Sequence, residues 1–256
     1  MTIATCVWVP DGIVLAADSR QTLQRADGTL RTGSDNVQKI LELDKRCACL
    51  SYGLAAIGNQ HAAGLIQRFR ADRGDELGDS SPPELAKKLA DFLQEIWQES
   101  VKDSSPPTVN FHLLVAGFGK TGVRAIEEIV IPGKSIVSRS GEEFGFLPLG
   151  SGEAIRRLLS GVDTQLTSHR EFPSTLGEFV RGLEYEVKFD GMTLQDAIDY
   201  AVFVVRTTID IQRFADGTRS GPKRPPISGG PIDVAIIRPY AGFEWVKQKR
   251  PTAPTP

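Results

Sequence analysis

Cysteine and histidine are scarce in this 256-residue sequence, which has three of each. Three cysteines do not make a disulfide framework. Cys47 and Cys49 have the spacing of residues on one face of a strand, and the histidines form no group with ligand spacing. Buried small hydrophobic side chains are therefore favoured over a metal site. No metal or organic cofactor is implied.

Long apolar runs and an excess of charge are also missing. No stretch approaches the roughly 18 apolar residues of a membrane helix, and the N-terminus has no positive segment followed by an apolar one. The net charge of -2 gives no electrostatic reason to expect a nucleic acid or an anionic membrane as partner. We therefore expect a cytoplasmic protein with a sizeable core.

What the sequence does have is a threonine at position 2, directly before a strand-forming run at residues 3–9. Removal of Met1, expected before a small second residue, would leave a hydroxyl and a free α-amino group on Thr2. An alkyl hydroxyl is a weak nucleophile that needs a base within hydrogen-bond reach. An α-amine with a pKa of about 7.7–8.0 can be that base near neutral pH. By position alone, an ordinary second residue is the simpler interpretation.

Strand patterns and helix patterns alternate in blocks along the chain. Strand runs that are interrupted by pairs of helices predict a layered α+β fold, with helices that cover stacked antiparallel sheets. The predicted strands are residues 3–9, 13–18, 37–43, 47–52, 109–117, 122–131, 232–238 and 243–246, with a polar loop at 21–35. The predicted helices are residues 54–70, 81–100, a segment from 153, 175–187 and 193–214.

Two charged residues lie where an apolar core is expected. Strand alternation places Lys39 on a face with three apolar residues, so its ammonium group either snorkels out to water or needs a buried partner. Asp18, at the end of five apolar residues, is a candidate partner. A three-residue turn at 10–12 would pair Ala4 with Asp18 and bring the carboxylate to the face of Thr2; a two-residue turn would put it on the other face. A buried Lys–Asp pair beside an N-terminal hydroxyl is a way to keep that hydroxyl activated.

Several short motifs occur in a fixed order over nearly the whole chain. They are Thr2, Asp11-Gly12-Ile13-Val14-Leu15-Ala16-Ala17-Asp18-Ser19-Arg20, Asn36-Val37-Gln38-Lys39-Ile40, Gly53-Leu54-Ala55-Ala56, Leu113-Leu114-Val115-Ala116-Gly117-Phe118, Leu149-Gly150-Ser151-Gly152 and Ser228-Gly229-Gly230-Pro231-Ile232-Asp233-Val234-Ala235. Each motif is weak alone, but the ordered set resembles a β-type subunit of the proteasome or a bacterial proteasome homologue, in the N-terminal nucleophile hydrolase superfamily.

The resemblance implies a fold of four layers, αββα, with two antiparallel sheets between helical layers. It also implies a catalytic set: a nucleophile with two charged supports, a backbone N–H for the oxyanion, and two serines around the terminal amine. In that order the matching residues are Thr2, Asp18, Lys39, Gly53, Ser151 and Ser228.

The same resemblance implies how a substrate lies. An extended peptide would add main-chain hydrogen bonds with the segments at Thr22 and Gly53. Its side-chain pocket would be lined near Gln21, Ser51 and Ala55, and these residues suggest no strong charge preference.

By this resemblance, residues 1–238 are a single proteasome-like peptidase domain, and residues 239–256 are a C-terminal extension with a partly disordered Pro-rich tail. The activity implied is that of a threonine endopeptidase whose Thr2 is exposed by Met1 removal, without a propeptide. Peptides or unfolded proteins would be its substrates, and a homo-oligomeric ring would hide its sites. The sequence does not identify an unfolding or gating partner.

One departure keeps two alternatives open. The family usually has an Asp shortly before the serine of the Ser-Gly-Gly motif, and this chain has Lys-Arg-Pro-Pro-Ile at residues 223–227. Asp216 is a conceivable substitute. The chain could instead be a structural ring subunit without catalysis, or an N-terminal nucleophile amidohydrolase that acts on a small amide.

Overall fold

A computed structural model describes residues 2–25, 27–78, 80–102, 107, 109–139, 143–162, 174–218, 223 and 225–249. The strands, numbered along the chain, are β1 (Ile3–Val9), β2 (Gly12–Asp18), β3 (Gln21–Gln24), β4 (Leu30–Ser34), β5 (Ile40–Glu42), β6 (Cys47–Gly53), β7 (Ala56–Ile57), β8 (Gln60–His61), β9 (Phe111–Phe118), β10 (Arg124–Ile131), β11 (Ser135–Ser138), β12 (Gly145–Gly150), β13 (Ile232–Arg238) and β14 (Gly242–Lys247). The helices are α1 (Ala62–Leu77), α2 (Pro82–Ser100), α3 (Glu153–Ser160), α4 (Ser174–Arg181) and α5 (Leu194–Phe214).

Two five-stranded antiparallel sheets form the centre of the fold. One has the strand order β12-β1-β2-β13-β14 and the other β11-β10-β9-β6-β5. Alternate apolar side chains of both sheets, among them Cys6, Leu15, Leu50 and Leu114, form one buried cluster between them. Because successive strand residues point to opposite faces, the other half of each strand has to be covered from outside.

Helices provide that cover on both sides. Leu89 of α2 and Phe69 of α1 pack in one cluster with Phe111 of the second sheet. Ala201 and Val205 of α5 pack in another cluster with residues of the first sheet. These layers confirm the predicted α+β fold with an αββα arrangement.

Some element boundaries differ from the sequence predictions. The loop predicted at residues 21–35 contains the two-stranded sheet β3-β4. The helix predicted at 54–70 begins at Ala62, because the short hairpin β7-β8 occupies the residues before it and turns at Gly58 with φ of +59°. The strand predicted at 37–43 is regular only over β5.

The turn between β1 and β2 also differs. Val9 pairs with Gly12 and Ala4 pairs with Ala17, so two residues turn the chain and the predicted pairing of Ala4 with Asp18 is wrong. Asp18 is nevertheless the last residue of β2, where the ladder ends. Its carboxylate accepts a hydrogen bond of 3.1 Å from the Ile3 N–H at the start of β1. Asp18 therefore still contacts the residue next to Thr2, although the register differs from the predicted one.

The division of the chain at residue 238 stays a prediction. β14, in the segment after that boundary, pairs with β13 at the edge of the first sheet. Residues 250–256 of the predicted disordered tail lie outside the described residues. All three cysteines are buried, as expected of small hydrophobic side chains. Within the described segments, no helix combines the length and the apolar character that crossing a membrane requires.

Candidate active site

Four of the predicted site residues lie at strand ends. Thr2 directly precedes β1, and Asp18 ends β2; Lys39 directly precedes β5, and Gly53 ends β6. Each of these strand pairs is antiparallel, so the start of one strand lies beside the end of its neighbour. The fold therefore collects residues that are up to 51 positions apart in the sequence at one end of the sandwich.

Lys39 and Asp18 form a buried ion pair. The Lys39 Nζ lies 2.5 Å from Asp18 Oδ1 and donates a second hydrogen bond of 2.8 Å to the carbonyl oxygen of Arg20. The Lys39 and Asp18 side chains are only 5% and 0% exposed, respectively. The ammonium group thus does not snorkel into water, and its charge is compensated inside the protein.

Backbone groups also hold the Asp18 carboxylate. The N–H groups of Ile3, Gly229 and Arg20 donate to it at 3.1, 2.9 and 3.3 Å. Burial raises the pKa of Asp18 and lowers the pKa of Lys39, because removal from water disfavours both charges, while the ion pair opposes each shift. A buried lysine whose proton is easier to remove than usual, in a cleft, is typical of a site that handles protons.

Thr2 is held by the segment that follows β12. It is buried, and its carbonyl oxygen accepts the Ser151 N–H at 2.7 Å. Ile3 pairs with Gly150, which has φ of +72° and whose backbone lies directly against the Thr2 carbonyl group. The Gly150-Ser151 peptide therefore fixes the start of β1.

The two predicted serines share an unusual state. Ser151 and Ser228 are 3% and 1% exposed, and neither hydroxyl has a hydrogen-bond partner among the residues that the structure describes. Buried hydroxyls almost always have a partner. Ser151 binds the Thr2 backbone, and Gly229, next to Ser228, binds Asp18. Ser151 thus lies beside Thr2, and Ser228 lies beside the residue that binds the Asp18 carboxylate.

A cleft of about 1010 Å³ is lined by some of the predicted site residues but not by Asp18, Ser151 or Ser228. Thr2, Lys39 and Gly53 line it. The predicted substrate-binding residues also line it: Gln21, Thr22, Ser51 and Ala55. The structure therefore brings nucleophile candidate and substrate-binding candidates to one surface.

Gly53 has a conformation that other residues rarely adopt. Its φ is +77°, and a Cβ atom there would lie 2.5 Å from the Asn110 carbonyl oxygen. Glycine is therefore required where β6 turns into the cleft.

Sequence reasoning missed the Arg20–Asp35 ion pair. Arg20 Nε and Nη2 bind the two Asp35 carboxylate oxygens at 2.7 and 2.9 Å, and Nη1 donates to the Pro226 carbonyl oxygen at 3.3 Å. The Lys249 Nζ donates to the Asp35 carbonyl oxygen at 2.8 Å. Both Arg20 and Asp35 lie in or beside a recognised motif, so charged residues flanking those motifs were the available signal.

Sequence reasoning also missed Gln212 on α5. Its side-chain oxygen accepts the N–H groups of Ile227 and Ser228. Asp216 is exposed, and the hydrogen bonds of the described residues do not join it to Ser228. A lone Gln near the end of a helix gives no sequence signal for such a contact.

A comparison with known families matches residues 2–138 to the family described as proteasome subunit. This match covers more than half of the 256 residues. The chain belongs to the proteasome subunit family. The resemblance read from the ordered motifs is thereby confirmed. A comparison with curated protein sequences finds no match.

Membership of the family places this chain in the N-terminal nucleophile hydrolase superfamily, and proteasome subunits generally assemble into ring oligomers. The family match includes Thr2, Asp18, Lys39 and Gly53, whereas Ser151 and Ser228 lie beyond it. In this proteasome subunit, those two serines are connected to Thr2 and Asp18 by the structure alone.

Gly150→Ala should destabilise this proteasome subunit and displace Thr2. A left-handed backbone costs a non-glycine residue about 1–2 kcal/mol, and the added Cβ would also collide with the Thr2 carbonyl oxygen. Gly28→Ala is a matched control, because Gly28 has φ of +82° but nothing within 4 Å of its Cβ position. Urea unfolding should show the larger loss for Gly150→Ala; equal losses would mean that the contact with Thr2 is unimportant.

Proposed function

We propose that this chain is an active β-type proteasome subunit, a threonine endopeptidase that uses Thr2 as nucleophile after removal of Met1. The observation that carries the proposal is the buried Lys39–Asp18 pair, whose lysine lines the same cleft as Thr2. A buried pair of this kind is expensive to maintain and is not needed to hold two sheets together. A role of the Lys39–Asp18 pair in catalysis explains why it is buried at this position.

In the proposed reaction, the Thr2 Oγ attacks the carbonyl carbon of a peptide bond. Its proton passes to the α-amine, directly or through a water molecule. The oxyanion of the tetrahedral intermediate is stabilised by the Gly53 N–H, and the amine leaving group takes up a proton as the C–N bond breaks. Water then attacks the Thr2 ester, and the α-amine takes up its proton. The proton returns to Thr2 Oγ as the ester bond breaks.

The charged and polar neighbours keep the base ready. Lys39 and Asp18 fix the charge next to the nucleophile, and the ammonium favours the deprotonated form of neighbouring groups. The hydroxyls of Ser151 and Ser228 accept hydrogen bonds from the α-amine and orient its lone pair toward Oγ.

The substrate in this proposal is an extended peptide that lies along β3 and the segment after Gly53. The open cleft, one wall of which is formed by the edge of a strand, favours a polypeptide over a small amide. A homo-oligomeric ring would keep such sites away from folded proteins.

A structural subunit without catalysis is the second candidate. It is favoured by Pro225, Pro226 and their neighbours in the place where the family usually has an Asp. The intact Thr2, Asp18 and Lys39 set argues against it, since a purely structural role gives no reason for a buried lysine.

Covalent labelling tests the proposal. The assembled protein is first weighed intact to establish that Met1 is gone, and is then incubated with an epoxyketone or β-lactone probe. We expect one adduct, which peptide mapping places on Thr2. A Met1-free, assembled protein that forms no adduct would contradict the proposal and favour the structural subunit.

A further inference from the structure

One side-chain oxygen near the end of α5 binds two consecutive backbone groups of the loop that carries Ser228. Gln212 Oε1 accepts the Ile227 N–H at 3.1 Å and the Ser228 N–H at 2.9 Å. Gln212 is half-buried and lies in the last turn of the helix. Two N–H groups that meet at one oxygen fix the orientation of the peptide between them.

The next peptide of the loop is fixed from the other side. The Gly229 N–H donates to Asp18 Oδ2 at 2.9 Å, and the Gly229 carbonyl oxygen accepts the Ser19 N–H at 3.1 Å. Ser228 therefore stands between an anchor on α5 and an anchor on β2. The backbone is held on both sides of Ser228, whereas its hydroxyl has no partner among the described residues.

The loop has little other regular structure to hold it. Residues 225–231 have no helix or strand assignment, and the described Pro225 and Pro226 supply no N–H groups. Thr22 Oγ1 donates to the Ile227 carbonyl oxygen at 3.1 Å, which ties the same residue to β3 in the cleft. The Gln212 bonds thus connect this loop, and through Ile227 one wall of the cleft, to α5.

We infer that Gln212 is a positioning residue: its side-chain oxygen holds the Ile227–Ser228 backbone so that the Ser228 hydroxyl faces the amine of Thr2. This inference rests on the proposed function. In this inference, α5 orients the loop through Gln212. The residue immediately before Ser228 is Ile227 and not an Asp.

The test compares three variants by their reaction with the β-lactone probe. Gln212→Met keeps the length and volume of the side chain but removes the acceptor, whereas Gln212→Glu keeps an oxygen at the same reach. Gln195→Met is the control, since Gln195 is exposed on the same helix and its amide binds Asp199 one turn away.

For Gln212→Met we expect the maximal inactivation rate kinact to fall roughly 10- to 100-fold, the scale on which small displacements of reacting groups act, with KI unchanged. Gln212→Glu should restore most of kinact, and Gln195→Met should match the wild type. Hydrogen exchange of peptides that cover residues 227–229 should be faster only in Gln212→Met.

Wild-type kinact in Gln212→Met would overturn the inference while leaving the proposed function intact. So would a Gln212→Glu protein that reacts as slowly as Gln212→Met, because the acceptor would then not be what matters. A wild-type protein without any adduct would instead contradict the proposed function, and the role of Gln212 in the reaction would fail with it.

Discussion

Thr2→Ala is expected to abolish covalent labelling and peptide cleavage while leaving the protein folded and assembled. The substitution removes the only atom proposed to bond to the substrate. Alanine is also a small second residue, so Met1 should still be removed and the α-amine should still be present. The loss of a hydrolase nucleophile lowers turnover by roughly 10⁴-fold or more, so residual cleavage should be undetectable. Peptide turnover, adduct mapping and intact mass are the measurements.

Thr2→Ser is the matched control for the hydroxyl. It keeps the nucleophilic oxygen and loses only a methyl group, so labelling should persist at a reduced rate. Cleavage by Thr2→Ala at the wild-type rate would place the chemistry elsewhere in the cleft. If Thr2→Ser is also inactive but still carries Met1, its lost activity would reflect failed removal of Met1. The comparison would then say nothing about the hydroxyl oxygen.

The layers of the fold could be predicted because burial leaves a pattern in the sequence. β1 and β2 are apolar at almost every position, since one face packs on the other sheet and the opposite face packs on a helix. α2 combines a Pro start, a Ser81–Glu84 capping box and a regular apolar face, so its bounds followed from local chemistry.

The β3-β4 hairpin left no such pattern. Its residues are half-buried or exposed, and it stands as a separate two-stranded sheet beside the sandwich. Without a buried face, polar residues carry no alternation that separates a strand from a loop. The register of β1 against β2 was predicted wrongly for another reason, because two- and three-residue turns both fit residues 10–12 and differ only in backbone geometry.

The candidate site divides in the same way. Lys39 and Asp18 stand out in the sequence because Lys39 shares a strand face with apolar residues and Asp18 ends an apolar run. Gln212 and Asp35 do not stand out, since neither interrupts a long apolar run. Each meets its partner only after the chain has folded, and the partners, Ser228 and Arg20, are 16 and 15 positions away in the sequence. Charges inside a predicted core can be identified from sequence, whereas polar groups that orient loops need coordinates.

Lys39→Met should cost both stability and activity. The variant leaves the Asp18 carboxylate buried without its cation, and breaking one side of a buried pair typically costs about 3–5 kcal/mol. Lys102→Met is the control, because Lys102 pairs with Glu99 on the surface with both side chains mostly exposed. Urea unfolding should show a large loss for Lys39→Met and little change for Lys102→Met.

A double-mutant cycle separates the structural part of this effect from the chemical part. Lys39→Met leaves the Asp18 carboxylate buried without a cation, and Asp18→Asn removes that negative charge. The double variant should therefore be more stable than the sum of the two single losses predicts. Labelling of Thr2 should not recover with that stability, because the double variant still lacks the ammonium group that favours a neutral base. Recovery of both together would mean that Lys39 acts only by holding the strands in place, and the buried pair would then be a structural feature of the sandwich.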